Sequence, residues 1–590
     1  MAALPLLVLA CGSEGSKRTS DDSGRSGSLC EQKTIDASSI DENTYSHLAL
    51  DWSREDIDCR LGPDFSSRHS GEGDSLSLAY EPEHRRASDG YLCATYELSG
   101  TCEGNCDYGS TSGQVLYFPD ESQDPGLDRV QTYGYEDGVI CESPQAGTYL
   151  GGPHPDPAIG TWEKALGESI PRPIGFAQTE MVETNGGILV FANGLIGATG
   201  NQTSGTTYPY ARLPPHKIPT AVALSGYNEF AFVSVMDTEH MRGQVAVFAL
   251  RSLKPEAFSI PYFALPNEAG FVGIHLMGFV DLPELIAPTA IAVSGNNGGT
   301  PGGHAIGNEF SDLRDPAKRA AFSRDDDERW VANSGQAVVL SKWENAITFL
   351  DLRPLFQFVR SAYFGSEETF NRSVATDPWP YDFDSHPEAL PVVVRTLSVQ
   401  RPTVARIGNQ IGAFPKGLQT HLNAFVANEA GEIRLFDVTA FSSPERPVPP
   451  DSVHEYAKVQ AGYNVTSMTV TRNGSFNRSL VVNSRADRVI QWITVGETSV
   501  DVVRELSDAR IADPVSVDVN DRGPIVTLVD FAGKRLLSYR TGPTENNGGK
   551  PPVNYGCGEG GSDTECSAFE FAGALAYPGT PFFLATSNVN

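Results

Sequence analysis

The chain has 590 residues, with 74 Asp and Glu against 44 Lys and Arg and a formal net charge of −30. Binding a polyanion needs a basic surface, so this balance excludes nucleic acid as a partner and disfavours direct attraction to anionic lipid. Hydrophobic residues at 40% and charged residues at 20% exclude general disorder, and the length exceeds one ordinary core unless a large repeat fold absorbs most of it.

Met1 to Ala10 is almost wholly apolar, and Cys11 follows at once. An apolar stretch ending in a small residue is the mark of a cleavable export signal. Leu7-Val8-Leu9-Ala10-Cys11 resembles a bacterial lipobox. The resemblance implies cleavage before Cys11, lipidation of its thiol, and a membrane partner reached through that anchor. Residues 11–28 are polar and would serve as a flexible tether. Several fatty chains, at about 0.8 kcal/mol per buried CH₂, suffice for stable anchoring. In the enteric lipoproteins that this lipobox resembles, Asp after the cysteine favours inner-membrane retention, so with Gly12 there the resemblance implies an outer-membrane lipoprotein of the bacterial envelope, periplasmic or surface-exposed. No run of 18 apolar residues occurs, so the sequence offers no spanning helix.

Residues 29–170 read as an acidic, Cys-rich module of short strands and loops. Residues 1–170 hold 30 Asp and Glu against 11 Lys and Arg, most of the chain's excess. Nine cysteines are present. With Cys11 lipidated, Cys30, Cys59, Cys93, Cys102, Cys106, Cys141, Cys557 and Cys566 remain as disulfide candidates. An even remainder suits an oxidising compartment, and the 105 connectivities of eight cysteines leave the pairing open. Gly113-Gln-Val-Leu-Tyr-Phe118 reads as a strand, and Gly151-Gly-Pro-His-Pro-Asp-Pro157 as a linker.

From residue 171 onward one theme recurs: Pro, an alternating apolar strand, a turn, a more apolar strand, a short polar gap and a third strand. Units begin at 219, 288, 402, 464 and 514. Pro219-Thr-Ala-Val-Ala-Leu-Ser225 with Phe230–Val235 and Gly243–Leu250 is the clearest. A period of about 40–50 residues with several strands per unit predicts an all-β chain, a β-propeller. Segments such as Pro219-Thr-Ala-Val-Ala223 and Gly431-Glu-Ile-Arg-Leu-Phe-Asp437 resemble the exported propellers of the YVTN and NHL repeat type. Ser567–Ala572 and Pro581–Thr586 read as the first two strands of a closing unit, with Gly186–Phe191 supplying its third strand and burying both sheet edges. The count by this route is six blades, with seven left open.

Residues 295–335 form a large insertion and the most unusual segment, within which Phe310–Phe322 reads as a short helix. Long loops on rigid scaffolds often bind, so His304, Arg329 and Trp330 are binding-loop candidates. Asp325, Asp326, Asp327 and Glu328 could offer oxygens to Ca²⁺, although without the spacing of an EF-hand loop. No other cofactor is expected. The scattered histidines include no His-x-His or His-Glu-x-x-His pair, and no nucleophile elbow, P-loop or dinucleotide fingerprint occurs. Asn-x-Ser/Thr sequons stand at Asn201, Asn371, Asn464, Asn473 and Asn477. The sequence therefore favours an anchored, non-enzymatic platform for an envelope protein or a glycan. The alternative is an exported propeller enzyme, a lactonase-like hydrolase or a quinone-cofactor dehydrogenase, with its site on the central channel.

Overall fold

A computed structural model describes residues 157–586 except 172, 179–186, 200–208, 226–228, 253–270, 297–315, 318–331, 376–381, 408–421, 471–478, 496–498, 520–524, 542–568 and 577–578. Before residue 157 it describes backbone strands alone: Leu6–Cys11, Cys30–Ile35, Ser112–Pro119, Val130–Glu136 and Val139–Cys141. The first two pair antiparallel, with Cys11 opposite Cys30.

The fold is an all-β propeller of four-stranded antiparallel blades. Six blades are contiguous pieces of chain. Blade I comprises Pro173–Gln178, Gly187–Phe191, Leu195–Thr199 and Tyr210–Arg212. Blade II comprises Lys217–Leu224, Phe230–Asp237, Arg242–Ser252 and Phe271–Leu282. Blade III comprises Ala290–Asn296, Ser334–Ser341, Ala346–Asp351 and Val392–Ser398. Blade IV comprises Pro402–Ile407, Asn423–Asn428, Glu432–Asp437 and His454–Gln460. Blade V comprises Met468–Val470, Ser479–Ser484, Val489–Val495 and Val500–Ser507. Blade VI comprises Pro514–Val519, Ile525–Asp530, Arg535–Thr541 and Phe569–Ala576.

The remaining four-stranded sheet, blade VII, is composite. Gly579–Thr586 pairs with Ser112–Pro119, which continues into Val130–Glu136 and Val139–Cys141. Pairing of the last strand with a segment far back in the chain is as expected, but the partner strands differ from those read in the sequence. Gly187–Phe191 belongs to blade I, and Phe569–Ala576 is the fourth strand of blade VI. The long-range partner of the last strand is Gly113–Phe118, which local pattern alone could not single out.

The proline repeat has a structural cause. Pro173, Pro219, Pro288, Pro402, Pro514 and Pro581 lead into or begin the first strands, and all are buried. Val465 takes the corresponding place before blade V. A register shift follows the proline in blades I, II, IV and VI. Proline cannot donate to the ladder, so a strand start next to a bulge is where it fits.

The chain divides into two compact units, one carrying blades I–IV (157–466 with 495–502) and the other blades V–VII. In the first, apolar faces of successive blades meet. Val233, Val235 and Phe248 of blade II pack with Ile188 and Val190 of blade I, and Phe436 of blade IV packs with Phe349 of blade III at 5.6 Å between ring centroids. Helix α1 (Pro157–Leu166) seals blade I through Trp162. Helices α2 (Arg353–Phe364) and α3 (Glu367–Ala375) cover blades II and III, with Phe356 edge-on to Phe230. In the other unit, Trp492, Val517, Leu528 and Tyr539 join blades V and VI.

No helix among the described residues is long and apolar enough to cross a membrane.

Candidate binding face

The hairpin between the second and third strands is built alike in successive blades. The second strand ends on a buried small polar residue: Asp237, Ser341, Asn428, Ser484 and Asp530 in blades II to VI. In blades II, III, V and VI a four-residue loop follows, a length usually built around a type I turn. The residue just before the third strand has positive φ throughout: Gly194, Met241, Asn345, Gly431, Arg488 and Lys534. The buried polar side chain holds the turn. Asp237 accepts from the N–H groups of Glu239 and His240, Ser341 Oγ from Glu344 N–H, and Asn428 from Glu432 N–H.

In blades II–IV these turns and the connections into the next first strand lie along one edge of the sheets and are tied together. Asp237 Oδ2 accepts from Lys217 Nζ at 2.7 Å and Arg242 Nε at 3.2 Å, with His240 Nδ1 at 2.9 Å. Gly243 N–H donates to Leu285 O at 2.6 Å. Ser341 Oγ donates to Ala287 O at 2.8 Å, and Ala287 N–H donates to Glu344 at 3.3 Å. Lys342 and Arg401 both grip Glu429, whose carbonyl accepts Asn464 N–H at 2.9 Å. The edge therefore forms a continuous hydrogen-bonded strip from blade II to the connection that leaves blade IV.

On that strip stand exposed apolar side chains: Ile218, Met241, Ile286, Trp343 and Tyr463. Trp343 is 69% and Tyr463 59% exposed. Among the described residues the other exposed large apolar side chains are Tyr210 and Val392, each at the start of a fourth strand. Single exposed apolar residues are ordinary, but a run of them along one edge marks an interaction surface.

The ion pairs fix the strip's charge state. The Lys217 hydrogen bond, with His240 and Arg242, holds the buried Asp237 carboxyl well below the usual carboxylate range against the opposing effect of burial. Arg401 and then Lys342 bring Glu429 down to about 2. Lys458 and then Arg434 do the same to Glu432, also to about 2. A carboxylate whose folded pKa is depressed adds stability that is complete above its unfolded value, about 4.3, and is lost as pH falls toward the folded value. Unfolding midpoints should therefore fall between about pH 4.5 and pH 2. The Glu429→Gln, Glu432→Gln double variant should show a shallower fall, modest because both groups are partly solvated. Identical pH profiles for the two proteins would contradict this assignment.

Asp237, Glu239 and His240 are the one group of three His, Cys, Asp or Glu side chains among the described residues close enough to share an ion. Oδ2 of Asp237 already faces Lys217 and Arg242, so the cluster is an ion-paired knot that shapes the turn. On the opposite edge, Glu229 is buried and uses both oxygens. It accepts from Ser225 Oγ at 2.7 Å and from Ala332 N–H at 3.3 Å, which fixes the return of the 295–335 insertion. Burial raises Asp351 nearby against its hydrogen bonds from Arg353.

His304, Arg329, Trp330 and the run Asp325, Asp326, Asp327, Glu328 lie outside the described residues, as do Cys59, Cys93, Cys102, Cys106, Cys557 and Cys566. Cys11, Cys30 and Cys141 fall on strands described by backbone alone. The turn residues Met241, Trp343 and Tyr463 were not singled out in the sequence. A signal existed: aligning the turns after each second strand puts Trp343 where blades IV, V and VI have Ala430, Ala486 and Ala532.

No protein-family model matches the chain, and no curated protein matches it in sequence. In shape it is similar to a protein from Lactobacillus plantarum, at 9% identity over 80% of this chain and 98% of that one, TM-score 0.41. It is also similar to a functionally unknown protein from Desulfotomaculum acetoxidans, at 10% identity over 78% and 98%, TM-score 0.39. A periplasmic gluconolactonase from Pseudomonas aeruginosa aligns at 11% identity over 79% and 100%, TM-score 0.37. The class of the protein, a β-propeller, rests on its own sheets.

Proposed function

We propose that the protein is an envelope-anchored lipoprotein whose propeller is a binding platform, and that it engages its partner through the turn edge of blades II–IV. The observation that carries this reading is the alignment of Ile218, Met241, Ile286, Trp343 and Tyr463 on that edge. The turns bearing Met241 and Trp343 are held by buried polar side chains, and the connections bearing Ile286 and Tyr463 are hydrogen-bonded to neighbouring turns, so the surface is preorganised and little ordering entropy is lost on binding. Met241 takes a left-handed φ of 49°, at the position where Gly194 and Gly431 have φ of 81° and 82° in their own turns. Asn345, Arg488 and Lys534 hold the same position with polar side chains, so the 56% exposed methionine supports a role in contact rather than in folding. The anchor reading rests on Leu7-Val8-Leu9-Ala10-Cys11.

The two halves of the proposal are separable. In cells fed labelled palmitate, the wild-type protein should carry label and fractionate with membrane. Cys11→Ala should lose the label and move to the soluble fraction. A labelled Cys11→Ala protein, or an unlabelled wild type, would remove the anchor. The Met241→Asp, Ile286→Asp double variant should stay anchored, keep its unfolding midpoint, and lose at least 10-fold of the partner that co-purifies from solubilised envelopes. Undiminished co-purification would remove the face.

A further inference from the structure

We propose that Trp343 and Tyr463 form a stacking platform for an uncharged saccharide, an inference that rests on reading the turn edge as a binding face. Trp343 sits at the second position of the blade III turn, where blades IV, V and VI carry Ala430, Ala486 and Ala532. The turn therefore folds with a methyl group there, and the indole is surplus to the fold. The side chain is 69% exposed. Tyr463 lies on the connection leaving blade IV, linked to the Trp343 turn through Lys342, Glu429 and the Asn464 N–H. One aromatic side chain thus stands on a turn and the other on a connection hydrogen-bonded to the next turn of the strip.

The charges around them are balanced and engaged. Lys342 and Arg401 bind Glu429, while Glu344 accepts from Ala287 N–H and pairs with Ser341. Lys342 and Arg401 balance Glu429 and Glu344, so these four side chains add no net charge beside the rings to favour an anionic ligand. The patch offers flat, rigid, amphipathic rings of low side-chain entropy, flanked by fixed polar groups. The C–H face of a pyranose packs on such a ring, and its hydroxyl rim can reach the spare lone pairs of Glu344 and Glu429 and the guanidinium edge of Arg401.

The test is calorimetric titration of the purified protein with neutral oligosaccharides (glucose, mannose, galactose and N-acetylglucosamine oligomers) beside uronate oligomers of equal length. A neutral oligomer should bind and the uronates should not. Trp343→Ala and Tyr463→Ala should each weaken binding at least 10-fold, with Trp343→Phe retaining most of it. The unfolding midpoint of Trp343→Ala should match wild type, because sister turns carry alanine. Two outcomes would overturn the inference: no neutral oligomer binds, or Trp343→Ala binds as wild type. If no saccharide binds but Met241→Asp, Ile286→Asp still loses its co-purifying partner, the face stands and its ligand is a protein. If that variant also keeps its partner, both readings fall.

Discussion

Replacing Trp162 by alanine should lower stability by about 3–5 kcal/mol, the range for emptying a buried tryptophan site. The indole is fully buried beneath blade I and meets Phe191 edge-on, with ring centroids 5.8 Å apart and planes at 79°. Gly197, in the third strand of blade I, shows how closely the ring is fitted. A Cβ built on Gly197 would lie 2.3 Å from two carbons of the Trp162 ring. The strand cannot move away, because Ile188 and Ile196 beside it are themselves buried against blade II. The space left by alanine would therefore persist instead of collapsing. Urea unfolding of the variant measures the loss. A change below about 1 kcal/mol would show that α1 does not close the blade, since exposed substitutions cost that little.

Deleting residues 579–590 should have a larger effect and abolish cooperative folding of the unit that holds blades V–VII. The deleted strand supplies the entire first strand of blade VII and is laddered to Ser112–Pro119 from Gly113 opposite Thr586 to Pro119 opposite Gly579. It also packs beside the first strand of blade VI, where Leu584 N–H donates to the buried Ser516 Oγ at 3.3 Å. Without it, Ser112–Pro119 becomes an open edge and the apolar face around Val517 and Leu584 meets water. The truncated protein should show early proteolysis within residues 467–578 and a broadened thermal transition. Adding the missing strand back as a co-expressed peptide should restore resistance. A truncated protein as protease-resistant as wild type would mean that the composite sheet does not hold the chain ends.

Much of this fold is legible in the residues. Pro219-Thr-Ala-Val-Ala223 and its counterparts announce first strands, because proline tolerates only the start of a strand and period-two alternation follows it. Which early segment the last strand pairs with is not legible, since a ladder between Ser112–Pro119 and Gly579–Thr586 leaves no local trace in either segment. The first blade was likewise hidden. Its Gly187–Phe191 strand is apolar at every position and buried throughout, so it carries no alternation to assign a face. The candidate face was harder still. Met241 and Trp343 sit in turns and Tyr463 in a connection, where an isolated apolar residue looks incidental, and their common edge emerges only when the strands are laid side by side.

Hydrogen–deuterium exchange of the purified protein, with and without a solubilised envelope fraction, decides whether the turn edge of blades II–IV is the binding face. Exchange should slow only in the turns and connections at 238–241, 283–287, 342–345 and 461–464. Slowing on the opposite edge around 229 and 332–334, or no change anywhere, would contradict that assignment.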